Sequence, residues 1–139
     1  MGNEISISKI GYEDVQYAIK NGYLIINTLP LNKQSCLIKN TINYNDEERL
    51  INELINSVDS NAHIIIYGEN TLDETTYDKC KKLIQFGFSN IHIYIGGLFE
   101  WLLLQDIYNC ELFPTTTKEN DILKYKGIRQ FNIKLLSYN

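Results

Sequence analysis

The chain has 139 residues, 44% hydrophobic and 22% charged, with a net charge of −4; this fits one soluble domain with its own core and leaves no basic surface for nucleic acid or an anionic membrane. The charge is uneven, since residues 111–139 carry five Lys/Arg against three acids and the rest of the chain is therefore about −6. Cys36, Cys80 and Cys110 have no metal-type spacing and His63 and His92 are far apart, so no metal or cofactor is expected, and the odd thiol count points to reduced cysteines in a cytoplasmic setting.

The start, MGNEISIS, lacks a basic region followed by an apolar stretch, and no apolar run approaches the ~18 residues of a membrane span. Strand and helix signals then alternate. Residues 5–10 read as a short strand. Residues 12–21 read as a helix with Val15, Ala18 and Ile19 on one face. Glu13 and Asp14 in its first turn and Lys20 in its last suit the helix dipole, and Gly22 follows as the residue that ends it. Residues 23–29 (YLIINTL) form a buried strand stopped by Pro30, and residues 37–42 a shorter one. Residues 45–58 form a helix, with Leu50, Ile51, Leu54, Ile55 and Val58 in one stripe.

Residues 62–67 (AHIIIY) are the clearest central strand, because a continuous β-branched run needs cover on both faces. Thr71 and Glu74 have the spacing of a capping box and predict a helix from about Leu72, with Tyr77, Cys80, Leu83 and Ile84 inward and Gly87 at its end. Residues 91–95 (IHIYI) form the last strand, broken by Gly96 and Gly97, and a very apolar helix spans residues 98–108. The order predicts an α/β fold: a parallel sheet of about five strands with helices on both faces. Residues 1–110 form the domain, and residues 111–139 a tail that packs on it or on a partner.

Over residues 5–108 the chain resembles the rhodanese-like domain family. Residues 36–42, CLIKNTI, follow that family's GHIPGAI-like segment at Ile38 and Ile42; HIIIYG leads through a helix to Gly87-Phe88; and Gly96-Gly97-Leu98-Phe99-Glu100-Trp101 parallels its GG…W signature. The resemblance implies the family's fold. It also implies a site in the loop after the central strand, where active members carry the cysteine that accepts sulfur and the phosphatases of the fold use it against phosphate. That position is Gly68 here, and the loop reads Glu69, Asn70, Thr71, Leu72, Asp73, Glu74, about two residues longer than usual. Asn27 stands for the family's strand-two Asp, and Leu37 for its His.

Residue chemistry points the same way. Sulfur or phosphoryl transfer needs a nucleophile in a positive field, and Gly68 offers none, while Glu69, Asp73 and Glu74 make the loop acidic. Those acids, like Glu47 and Glu48, are explained by helix starts, where each contributes about 0.3–1 kcal/mol. Cys80 reads as a small core residue, Cys36 as an incidental thiol in an exposed loop, His63 and His92 as satisfied edge histidines, and Gly96-Gly97 as a sharp turn. The expected function is a catalytically inactive rhodanese-like domain acting as a protein-interaction or structural module. The alternative is an atypical sulfurtransferase or small-molecule binder using the former crevice. The helix over residues 98–108 is apolar most of the way round, so something besides its own sheet is expected to cover it: either the tail, turned back over it at Phe113-Pro114 with Phe131, Ile133 and Leu135 in a strand-like pattern, or a protein partner or second copy meeting Leu98, Trp101, Leu102 and the same tail residues.

Overall fold

Isoleucines build the centre of the sheet. In the computed structural model, which describes residues 7–57 and 61–131, four strands pair in parallel: β1 (Ser8–Ile10), β2 (Leu24–Asn27), β3 (Ile64–Tyr67) and β4 (Ile91–Tyr94). Their spatial order is β1-β4-β3-β2. β3 is buried at every position, as a central strand covered on both faces must be. The strand expected over residues 37–42 is reduced to two isolated bridges, Ile25 with Thr41 and Ile38 with Thr115. Asn40 turns left-handed at φ 70° and the Thr41 N–H donates back to the Ile38 carbonyl at 3.1 Å, which ends extended backbone there.

The helices are α1 (Tyr12–Asn21), α2 (Tyr44–Asn56), α3 (Thr75–Gln85) and α4 (Gly97–Ile107). α1 ends as its sequence predicts, with Gly22 at φ 70°. α2 starts one residue early because Asn43 caps it, its Oδ1 accepting from the Asn45 N–H at 2.9 Å. α3 starts three residues later than Leu72. The Thr71–Glu74 box does not form, and Asp73 instead accepts the Thr75 N–H at 3.0 Å.

Alternation along the strands divides the core in two. Val15 and Ala18 of α1 and Leu98, Trp101 and Leu102 of α4 pack with Ile25, Ile65, Tyr67 and Tyr94 on one face. Ile51 of α2 and Cys80 and Leu83 of α3 pack with Ile26, Ile64, Ile66, Ile91 and Ile93 on the other. Among the described residues no helix is long and apolar enough to cross a membrane.

The chain after α4 returns over it. Phe113 is 2% exposed, and its ring stands 5.1 Å from that of Trp101 at 79°. Trp101 Nε1 donates to the Pro114 carbonyl at 3.1 Å and Gln105 Nε2 to the Phe113 carbonyl at 2.8 Å. Residues 114–116 then run beside residues 37–39, through Lys39 N to Pro114 O at 3.0 Å and Thr116 N to Leu37 O at 2.8 Å. A single 3-10 turn, Ile122–Tyr125, buries Tyr125. This cover accounts for the side of α4 that carries Leu98, Trp101 and Leu102, which are core side chains and no partner surface, the tail being the cover of the two expected; Leu103 and Ile107 on the same helix stay exposed. Phe131 is 81% exposed, and Ile133 and Leu135 lie outside the described residues.

Candidate functional site

β3 leads into α3 on one face and β4 into α4 on the other, so the crevice between their carboxyl ends is where an open α/β sheet takes a ligand. Here two backbones close it. The Leu98 N–H donates to the Gly68 carbonyl at 2.9 Å and the Phe99 N–H to the Glu69 carbonyl at 2.8 Å. Gly97 permits this approach: its φ is +68°, and a Cβ there would stand 2.8 Å from Gly68 O and from Asn70 N.

The loop over residues 68–74 satisfies itself. The Asp73 carboxylate accepts the Glu69 N–H through Oδ2 at 2.9 Å, and the Thr75 N–H and hydroxyl through Oδ1 at 3.0 and 2.6 Å. It also covers Gly68, where a Cβ would lie 2.4 Å from Asp73 Oδ2 and 3.1 Å from Thr28 Oγ1. Asn70 Oδ1 accepts the Leu72 N–H at 2.9 Å, and its Nδ2 donates to the Tyr125 carbonyl at 2.8 Å. Thr71 and Glu74 are exposed.

Of the three acids at the mouth, Glu69 is paired with a cation. Lys33 Nζ lies 2.5 Å from Glu69 Oε1 and donates to the Lys124 carbonyl at 3.2 Å. A groove of about 700 Å³ runs between the loop and the tail, with Glu69, Asp73 and Glu74 on one side and Lys124, Lys126 and Arg129 on the other. Lys124 is itself paired with Glu119 at 2.6 Å. The tail's local positive charge is legible in the sequence, but not its position across the loop.

Two further side chains organise the carboxyl end of the sheet, and sequence reasoning missed both roles. Buried Asn27 forms a reciprocal amide pair with Gln34, Nδ2 to Oε1 at 3.1 Å and Nε2 to Oδ1 at 2.8 Å, and its Oδ1 also accepts the Leu29 N–H at 2.9 Å. The only available signal was that a buried amide must find partners. Tyr67 ends β3 with its hydroxyl accepting the Ile38 N–H at 3.1 Å and 2.8 Å from Thr41 Oγ1. Burial holds this phenol far above the usual tyrosine range.

The thiols stand apart from the loop's chemistry. Cys80 is fully buried, as its helix face predicts, and burial pushes it up to about 12. Cys36 is 1% exposed rather than in an open loop, because residues 115–117 cover it; its Sγ lies 3.4 Å from the Thr117 carbonyl, and burial raises its pKa. Cys110 is exposed. Glu47 pairs with Lys79 between α2 and α3, which fits a structural carboxylate. Among the described residues no three His, Cys, Asp or Glu are grouped to hold a metal ion. His63 and His92 meet each other at the far end of the sheet.

The family profile described as the rhodanese-like domain matches residues 8–104. A search of curated protein sequences finds no significant match. Solved structures share the fold at low identity. The Alr3790 protein from Anabaena sp. is 18% identical with a TM-score of 0.55, the alignment covering 84% of this chain and 100% of that one. The BH2092 protein from Bacillus halodurans is 19% identical with a TM-score of 0.55, covering 95% and 90%. Yeast Ygr203w, described as a protein tyrosine phosphatase of the rhodanese family, is 12% identical with a TM-score of 0.56, covering 86% and 99%.

Proposed function

The chain belongs to the rhodanese-like domain family, and from that premise we propose that it is a member without sulfur- or phosphoryl-transfer activity that serves as a protein-interaction or structural module. Asp73 carries this reading. The residue after β3 is Gly68, with no thiol, and the Glu69 and Thr75 N–H groups, which an anionic substrate would need, already donate to the Asp73 carboxylate. The loop supplies its own anion. The two buried thiols, Cys36 and Cys80, are both raised by burial, which leaves little thiolate at neutral pH. Around the filled mouth Leu72, Leu123 and Ile128 are exposed, an apolar border that favours contact with another macromolecule. The groove of about 700 Å³ beside them supports the second reading, a small-molecule binder or atypical sulfurtransferase.

The test uses the full chain in thiosulfate:cyanide sulfurtransferase and aryl-phosphate hydrolysis assays. Background rates are expected for the wild type. The same holds for Gly68→Cys, whose new side chain would collide with Asp73. Turnover that Cys36→Ser or Cys80→Ser abolishes would overturn the inactive reading and favour the second. Co-purification from the native source, compared with Leu123→Glu/Ile128→Glu, tests the interaction half. A partner kept by the wild type and lost by the variant is expected; equal recovery by both counts against it.

A further inference from the structure

The two histidines meet at the amino ends of β3 and β4, at the opposite end of the sheet from Gly68. His63 directly precedes β3, and His92 pairs with Ile65 across the β3–β4 ladder, so alternation sets both rings on the α1 side. His63 Nδ1 lies 3.4 Å from His92 Nε2. The ring planes differ by 18° and the centroids are 5.6 Å apart, close to the N···N distance plus two ring radii, the most that this N···N contact allows. The rings therefore meet edge to edge along one N–H···N line. Tyr23 stacks on His63 at 4.5 Å and 13°, which fixes that ring's plane. His92 is half-buried, and its Nδ1 is sealed from solvent with no hydrogen-bond partner among the described residues.

An N–H···N bond holds one proton: one nitrogen donates and the other keeps its lone pair. The first proton added to the neutral pair goes to a ring nitrogen outside this line and leaves the bond intact; only a second added proton makes both rings cationic and sets two N–H groups head to head. The surrounding groups do little to relieve this. α1 contributes Asp14 and Tyr17, the turn before β2 contributes Tyr23, and β1 contributes the uncharged Ser8 and Ile10. Asp14 favours a charged His92, but burial and the His63 charge outweigh it and hold His92 below its ordinary value of 6.5. A cleft of about 230 Å³ beside the pair is lined by Asp14 and Tyr17 of α1, so α1 is the helix that a change in the pair's charge reaches first.

We propose that the His63–His92 pair is a proton-operated latch: the N–H···N bond, kept in the neutral and the singly charged pair, holds the amino ends of β3 and β4 together beside α1, and protonation of both rings drives them apart and loosens α1. Mild acidification thus opens this end of the domain while the Gly68 end stays closed.

The test is an NMR titration of the imidazole C–H signals in the full chain, with hydrogen exchange of the α1 amides at pH 7 and pH 5. His92 is expected to titrate below 6.5 in the wild type and to move up towards it in His63→Gln, an exposed substitution that leaves the core untouched. Protection of residues 15–19, corrected for intrinsic exchange, is expected to fall about tenfold or more between the two pH values in the wild type and to stay level in His63→Gln. An identical His92 midpoint in both proteins would overturn the proposal, as would wild-type α1 protection that ignores pH.

Discussion

Phe113→Ala tests whether the returning tail is part of the core. The ring is 2% exposed and touches three others, with centroids 5.1 Å from Trp101, 5.4 Å from Tyr12 and 6.0 Å from Tyr108. Truncating a buried Phe costs about 3–5 kcal/mol, the spread depending on how far the site collapses. Its chain neighbours are held by the Gln105 side chain on the Phe113 carbonyl and the Trp101 indole on that of Pro114, so the backbone cannot easily close the gap. A loss of about 3–4 kcal/mol follows, a large share of the roughly 5–15 kcal/mol available to a domain. For a chain of this size it lowers Tm by about 10–15 °C. Leu112→Ala, next in sequence but 50% exposed, should cost about 0.5 kcal/mol or less. Thermal and urea unfolding of both variants decide the matter. A Phe113→Ala midpoint no lower than that of Leu112→Ala would show that the tail does not complete the α1–α4 core.

Gly68→Ala should destabilise by about 1–3 kcal/mol, because its Cβ meets the Asp73 carboxylate at 2.4 Å; in a double-mutant cycle by urea unfolding, adding Asp73→Ala should recover part of that loss, and strict additivity would refute the contact. In the native protein a thiol reagent should titrate exposed Cys110 quickly and buried Cys36 and Cys80 only on unfolding; a second fast thiol would contradict the cover placed over Cys36. Stability should fall as pH drops below about 6.5. The folded His92 is held below its ordinary 6.5, so in that window the unfolded chain binds more protons and acid favours unfolding. Urea midpoints at pH 7.5 and 5 should differ less in His92→Gln than in the wild type, and an equal difference would show that His92 does not contribute.

Much of the fold is legible because it rests on local signals. The run Ile64–Tyr67 announces a strand covered on both faces. α1 carries its charges at the proper ends and a glycine where the backbone turns left-handed. What misleads is local chemistry with more than one solution. Thr71 and Glu74 have capping-box spacing, yet Asn70 and Asp73 take the N–H groups in a chain of tight turns, and the helix starts later. The segment over residues 37–42 has strand composition, yet Asn40 adopts the left-handed conformation and breaks it. The remainder depends on contacts between distant residues. Neither the meeting of Lys33 with Glu69 nor that of His63 with His92 leaves a mark in spacing. The tail over Trp101 is half legible: the apolar girth of residues 98–108 asks for a cover and Phe113-Pro114 offers a turn back over the helix, but spacing does not choose between the tail and a second chain.

The returning tail also orders the folding of the molecule in time. Phe113 seats against Tyr12 and Trp101, and Tyr125 accepts from Asn70 through its carbonyl. The α1–α4 core is thus closed in part by contacts between residues far apart in the chain, Tyr12 with Phe113 and Asn70 with Tyr125, the kind that form slowly because their loops must be ordered first. During synthesis α4 emerges before its cover does, and until about residue 125 follows, Trp101 and its neighbours present apolar surface to whatever is near. That interval, rather than the finished protein, is when the domain is most exposed to aggregation and most in need of a chaperone.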